Sequence, residues 1–261
     1  MDTACRIAHH APMNTMQVSM VVAVFALAGG VKGITGMGLP TVAMSLLGLW
    51  MPPVQAAALL VVPSLLTNVA QCRGPHWREL AWRLWPGWLA IAVVTAWMPG
   101  LGGTEPADSA SRGLGVVLVG YGVWGLWRPA LPDLSGSGRW VGAMAGAATG
   151  LVTALTAVFV LPWVPYLQSL RLDKDATVQA LGLSFTVATL ALALAWRLQL
   201  SAPAGWASPS MAVAFGGALI GAFVGLKAGE VLRGRLAGAV FQKALFLVFV
   251  VLGAVNLMRA G

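Results

Sequence analysis

Lys32 stands alone in an apolar stretch broken by glycines, Val21 to Pro40, with no acidic residue near it in sequence. A cation at bilayer depth is costly and is tolerated where it faces a polar cavity or a partner. Gly33, Gly36 and Gly38 let backbone approach a ligand, Thr35 adds a hydroxyl, and Pro40 suits the first turn of a following helix. A helix starting near Gly36 would aim its free N–H groups and positive dipole end at the break, so the segment has the makings of half an anion site. The competing reading is that the glycines serve close helix packing and that Lys32 snorkels to an interface.

A second stretch, Thr149 to Pro162, has alanines where the first has glycines but keeps hydroxyls at Thr153 and Thr156. These can donate to an oxyanion or bond back to their own helix. Asn68 and Ser184 are the most central of the remaining polar groups in apolar segments, followed by Gln71, Gln168 and Gln179. Helix-to-helix hydrogen bonding accounts for them as well as ligand contact does.

These residues need a membrane framework. Of 261 residues 58% are hydrophobic and 9% charged, and the mean hydropathy is +0.81. A soluble domain does not have this composition. The expectation is an all-α polytopic membrane protein of eight to ten transmembrane segments, one integral domain over residues 1–261. Four apolar runs of about 14 residues, Val18 to Val31, Met37 to Trp50, Trp140 to Thr153 and Ala157 to Leu170, fall short of the roughly 30 Å hydrocarbon core at 1.5 Å per residue. They are broken helices or re-entrant hairpins.

The net charge of +8 gathers in short loops, which sets orientation and does not mark a nucleic-acid surface. Arg73, Arg78 and Arg83, then Arg128 and Arg139, Arg171 and Lys174, and Lys227, Arg233, Arg235 and Lys243 all fall on the cytoplasmic side of one alternating threading, while Glu105 and Asp108 lie outside. That threading puts both termini outside and gives the halves, about 17–128 and 139–261, opposite orientation. At a constant offset of 121, Gly29 meets Gly150, Thr35 meets Thr156 and Leu60 meets Leu181. Interrupted segments at matching places in two inverted halves point to a transporter's binding site.

Other chemistries lack their parts. No Walker A loop, metal motif, nucleophile elbow or carboxylate occurs within the spans, so no cofactor, metal or catalytic residue is expected. Cys5 and Cys72 fall on opposite sides of the threading, and His9, His10 and His76 lie in the N-terminal tail and a loop. The first residues lack a secretory-signal pattern, and the Arg, Ala and Gly bias points to a GC-rich bacterial genome. An integral membrane enzyme would need convergent titratable groups, which are missing. An anion channel or accessory subunit stays open as an alternative.

Gly33-Ile-Thr-Gly36-Met-Gly38, the stretch Leu49 to Ala57, and above all Val158 to Pro165 followed by Leu172 to Asp175 and Gln179 to Phe185 resemble the TauE/SafE family of sulfite exporter-like permeases over most of the chain. The resemblance implies a permease with a duplicated hydrophobic unit that moves small sulfur-containing anions such as sulfite, sulfonates or sulfoacetate. The family's Gly-x-Thr-Gly-x-Gly-Gly element matches Gly33, Thr35, Gly36 and Gly38, with Leu39 in place of its last glycine. Lys32, Gly33, Thr35, Gly36, Gly38, Thr153, Thr156, Asn68 and Ser184 are therefore the expected substrate-binding residues. The partners expected are that anion and the bilayer, with homo-oligomerisation left open.

Overall fold

The computed structural model describes residues 13–98, 107–127, 131–199, 209–236 and 239–259. Cys5, His9, His10, Glu105 and Arg128 lie outside them. Within them the chain is all helix and turn. The first half comprises α1 (Thr15–Thr35), α2 (Leu39–Leu47), α3 (Pro53–Gln71), α4 (Trp77–Trp97) and α5 (Ala107–Trp127). The second comprises α6 (Arg139–Thr156), α7 (Trp163–Ser169), α8 (Lys174–Gln199), α9 (Pro209–Leu236) and α10 (Ala239–Arg259). Five helices, α1, α3, α8, α9 and α10, hold stretches long and apolar enough to cross a membrane, and the protein is embedded with multiple passes.

The short runs resolve unevenly: α1 and α6 have 21 and 18 residues, α2 and α7 only nine and seven. α1 outlasts the expectation because Gly29, Gly30 and Gly33, poor helix formers alone, are packed against α9. Its start is fixed by Asn14, whose side chain accepts from the Gln17 N–H while Gln17 reaches back to the Asn14 N–H. α2 begins at Leu39 and not near Gly36, because Gly36 and Gly38 both take left-handed conformations at φ 84° and 99°.

Close approaches fix the relative directions of the helices. Val22, Ala26 and Gly30 meet Gly221, Gly225 and Gly229 in rising order, so α1 runs parallel to α9. Gly87 and Ile91 meet Gly146 and Gly150 likewise, making α4 parallel to α6. A Cβ on Gly225 would fall 1.9 Å from the Ala26 carbonyl oxygen, and no other residue permits that crossing. α3 and α8 run antiparallel, with Ser64 beside Thr189, Cys72 beside Thr186 and Gly74 beside Gln179. So do α5 and α10, where Gly115 faces Gly253 and Gly122 faces Phe246.

Exchanging the halves in chain order turns the α1–α9 pair into the α6–α4 pair and maps α3–α8 and α5–α10 onto themselves. Equivalent helices that pack antiparallel are what an inverted twofold relation produces. Each half lends its first helix to the fourth helix of the other, and the buried core (Phe25, Leu39, Leu60, Phe159, Trp163, Phe185) lies between the interleaved units.

Candidate functional site

The two breaks share a helix-end pattern at the offset of 121. α1 ends at Thr35 and α6 at Thr156, and the next residue in each is left-handed: Gly36 at φ 84° and Ala157 at φ 55°. The Gly36 N–H returns to Lys32 O at 2.7 Å, and the Ala157 N–H to Thr153 O at 2.8 Å. Thr35 Oγ1 has two carbonyl acceptors in reach, Met37 O at 2.7 Å and Val31 O at 2.9 Å, and accepts the Met37 N–H at 3.2 Å. Thr156 Oγ1 donates to Val152 O at 2.7 Å and accepts the Val158 N–H at 3.2 Å. Each threonine thus satisfies backbone groups that its helix end would otherwise orphan.

What precedes the breaks differs. The Lys32 side chain is 1% exposed, and its Nζ donates to Thr67 Oγ1 at 3.0 Å and to Asn68 Oδ1. Asn68 Nδ2 continues to Ser64 Oγ and Thr189 Oγ1, both at 3.3 Å. Residues 68 and 189 are themselves related by the offset of 121. The Lys32 side chain thus reaches from α1 to α3, and Asn68 carries the network on to Thr189 of α8. The place of Lys32 in the last turn of α1 sets it against the negative end of that helix dipole, which helps to make burial tolerable. The described residues place no carboxylate on it: their one salt bridge, Lys227 to Glu230, is exposed on α9. At the equivalent place Thr153 donates to Thr149 O at 2.7 Å.

The short helices add a second feature. Buried polar groups are normally paired, and an exception asks for a cause. Thr41 Oγ1 in the first turn of α2 and Trp163 Nε1 at the start of α7 are fully buried and have no hydrogen-bond partner. One orphan donor therefore follows each break. The carbonyls at the end of α1 are covered instead: Arg233 Nε donates to Gly33 O and Gln71 Nε2 to Gly36 O, both at 2.9 Å.

A cavity of about 320 Å³ reaches the first break, where Thr35, Met37 and Gly38 form its floor. Tyr121 and Trp124 of α5 and Phe246 and Phe249 of α10 wall it, and Gln168 and Gln242 supply amides. Its rim includes Leu131, in the loop 131–138 that Arg83 and Arg171 pin through the carbonyls of Ser135 and Leu131. In that loop Ser135 hydrogen bonds, from side chain and backbone, hold the exposed Asp133 carboxyl below its ordinary value.

The expected site residues fall into four groups. Lys32 and Asn68 come together; Thr35, Gly36 and Gly38 form the first break, and Gly33 faces α9 behind it. Thr153 and Thr156 bond to their own helix. Ser184 lies one helix aside, donating to Ala180 O and accepting Trp88 Nε1–H at 2.8 Å. Gln179 ties the α3–α4 turn, donating to Cys72 O and Gly74 O and accepting the His76 N–H. Thr67, Thr189 and the orphaned Thr41 and Trp163 went unread; continuing the offset along α3 and α8 would have paired 68 with 189.

The family model for the sulfite exporter TauE/SafE matches residues 21–257. No curated protein and no solved structure matches the chain.

Proposed function

The chain belongs to the sulfite exporter TauE/SafE family, a family of membrane permeases, and on that premise we propose that it carries a small sulfur-containing oxyanion, such as sulfite, a sulfonate or sulfoacetate, by alternating access across a bacterial inner membrane. The observation that carries this reading is the buried Lys32 side chain, which reaches from α1 to α3 with only hydroxyl and amide oxygens on it. Taking a charge out of water is repaid only by a counter-charge or by good hydrogen bonds, and an incoming anion completes what Thr67 and Asn68 begin. Thr41 Oγ1 and Trp163 Nε1 offer two unused donors at the short-helix starts of opposite halves.

On the basic-loop orientation the aromatic-walled cavity opens to the cytoplasm, and an anion enters over Gln168 and Gln242 to the first break. Rocking of the interleaved halves about the Asn68–Thr189 contact then closes that path and opens its counterpart at the second break. The anion neutralises the ammonium in transit, so the loaded centre crosses the low-dielectric region without net charge.

Proteoliposome counterflow of sulfite and sulfoacetate tests the assignment. Lys32→Ala lowers transport at least tenfold, whereas Arg112→Ala stays within about twofold of wild type. Normal transport by Lys32→Ala removes Lys32 from the site.

A further inference from the structure

Away from the transport path, the outer face of α4 and α6 carries two clefts with a common wall. The larger, about 520 Å³, is a furrow along α4 from Trp85 past Leu89 to Val93, closed on the other side by Trp140 of α6. Its lining is apolar except at one end, where Arg139 begins α6. At 1.5 Å per residue the furrow runs about 13 Å down the helix, the direction an acyl chain takes in a bilayer. The smaller, about 430 Å³, lies on the far side of Trp85 against Trp77, Arg78 and Trp82.

Both guanidiniums at this end lie over indole rings: Arg139 is 4.3 Å from the Trp82 ring centroid and Arg78 5.2 Å from that of Trp77. Stacking fixes the plane of a guanidinium and leaves its N–H edge pointing outward, the edge that pairs with a phosphate in bidentate fashion. No salt bridge engages either one among the described residues. Of the charged groups nearby, Arg83 is spent on the Ser135 carbonyl, Asp133 is engaged by Ser135, and Glu79, next to Arg78, is the one acid of the α4 first turn. Tryptophans exposed at 45 to 83% (Trp77, Trp82, Trp85, Trp140) gather around the same spot, as at a membrane–water boundary.

We propose that this face is a binding site for one anionic phospholipid of the cytoplasmic leaflet, an acyl chain lying in the furrow beyond Trp85 and its headgroup phosphate at the Arg139 and Arg78 end. A zwitterionic lipid fills the furrow equally well but adds a cationic headgroup to a site already holding two guanidiniums, so the charge pattern selects the anionic class. The site is independent of the transport assignment, and its loss leaves Lys32 and the breaks untouched.

Native mass spectrometry of the purified full-length protein, offered equal amounts of phosphatidylglycerol and phosphatidylcholine, tests it. Wild type retains phosphatidylglycerol over phosphatidylcholine by about fivefold or more, and Arg139→Gln with Arg78→Gln brings that ratio close to one, while Lys174→Gln leaves it unchanged. Leu89→Trp, which fills the furrow and keeps both guanidiniums, lowers retention of the anionic lipid and supplies the answer if the arginine variants fold poorly. Equal retention of both lipids by wild type, displacement of bound lipid by excess inorganic phosphate, or unaltered selectivity in the double arginine variant overturns the proposal.

Discussion

The first and second breaks share one backbone device and differ in nearly every side chain that uses it. Both end a helix with a left-handed residue and a threonine that bonds backward and forward at matching distances. Beyond that, at the offset of 121 Lys32 corresponds to Thr153, Gly36 to Ala157, Ser64 to Phe185, Thr67 to Ala188 and Asn68 to Thr189. The two stretches share the geometry that breaks the helix, while the ammonium and its amide partner stand at the first alone. On the proposed function, one buried cation matches a cargo of one negative charge. A cation in each half would place two like charges close together in a low-dielectric centre.

The largest test of this asymmetry exchanges its central residue. Lys32→Thr gives the first break the residue of the second and abolishes transport while the chain still inserts and folds. Thr153→Lys buries a second ammonium where the equivalent of Asn68 is a threonine. An uncompensated buried charge costs about 3–5 kcal/mol, so its melting temperature in detergent falls sharply and its yield drops. If Thr153→Lys is as stable as wild type, the second break can host a cation as it stands, and the chemical difference between the copies carries no meaning.

A smaller pair of opposite sign concerns the left-handed residue. Gly36 takes φ 84° without strain, whereas Ala157 at φ 55° bears the penalty of a Cβ in that region, about 1–2 kcal/mol. Gly36→Ala therefore lowers thermal stability by about that amount, and Ala157→Gly raises it by somewhat less, since glycine also frees the unfolded chain. Thermal unfolding of the two variants side by side measures it. Matching signs would mean that the two caps are not equivalent.

The architecture was legible because it rests on patterns that sequence carries openly: apolar runs, basic loops and glycines at a helix break. The lone Lys32 announced a buried cation, and Asn68 was marked as central. Two things did not show. The length of α1 depends on glycines buried against α9, whose partners are about 190 residues away, so local propensity ended the helix too early. The sequence leaves the Thr153 and Thr156 hydroxyls open between an oxyanion and their own helix, and in the structure each bonds the carbonyl four residues back. Ser184 looked equivalent to Asn68 in depth, but depth along a helix does not say which neighbour it faces, and Trp88 claims it.

The threonines give the finest comparison. Thr35→Val and Thr156→Val each remove a hydroxyl that caps a helix end and leave the following N–H, of Met37 or Val158, without its acceptor. Each loses one accepted N–H, so each should cost about 1 kcal/mol of stability, although Thr35 also gives up its bond to Met37 O. Transport separates them, because Thr35 forms part of the cavity floor and Thr156 does not line that cavity. Thr35→Val raises the half-saturating concentration for the anion severalfold from the cytoplasmic side, and Thr156→Val leaves it within error there. Equal transport defects would show that both hydroxyls serve the backbone alone, and the difference between the breaks would then rest on Lys32 and its oxygen partners.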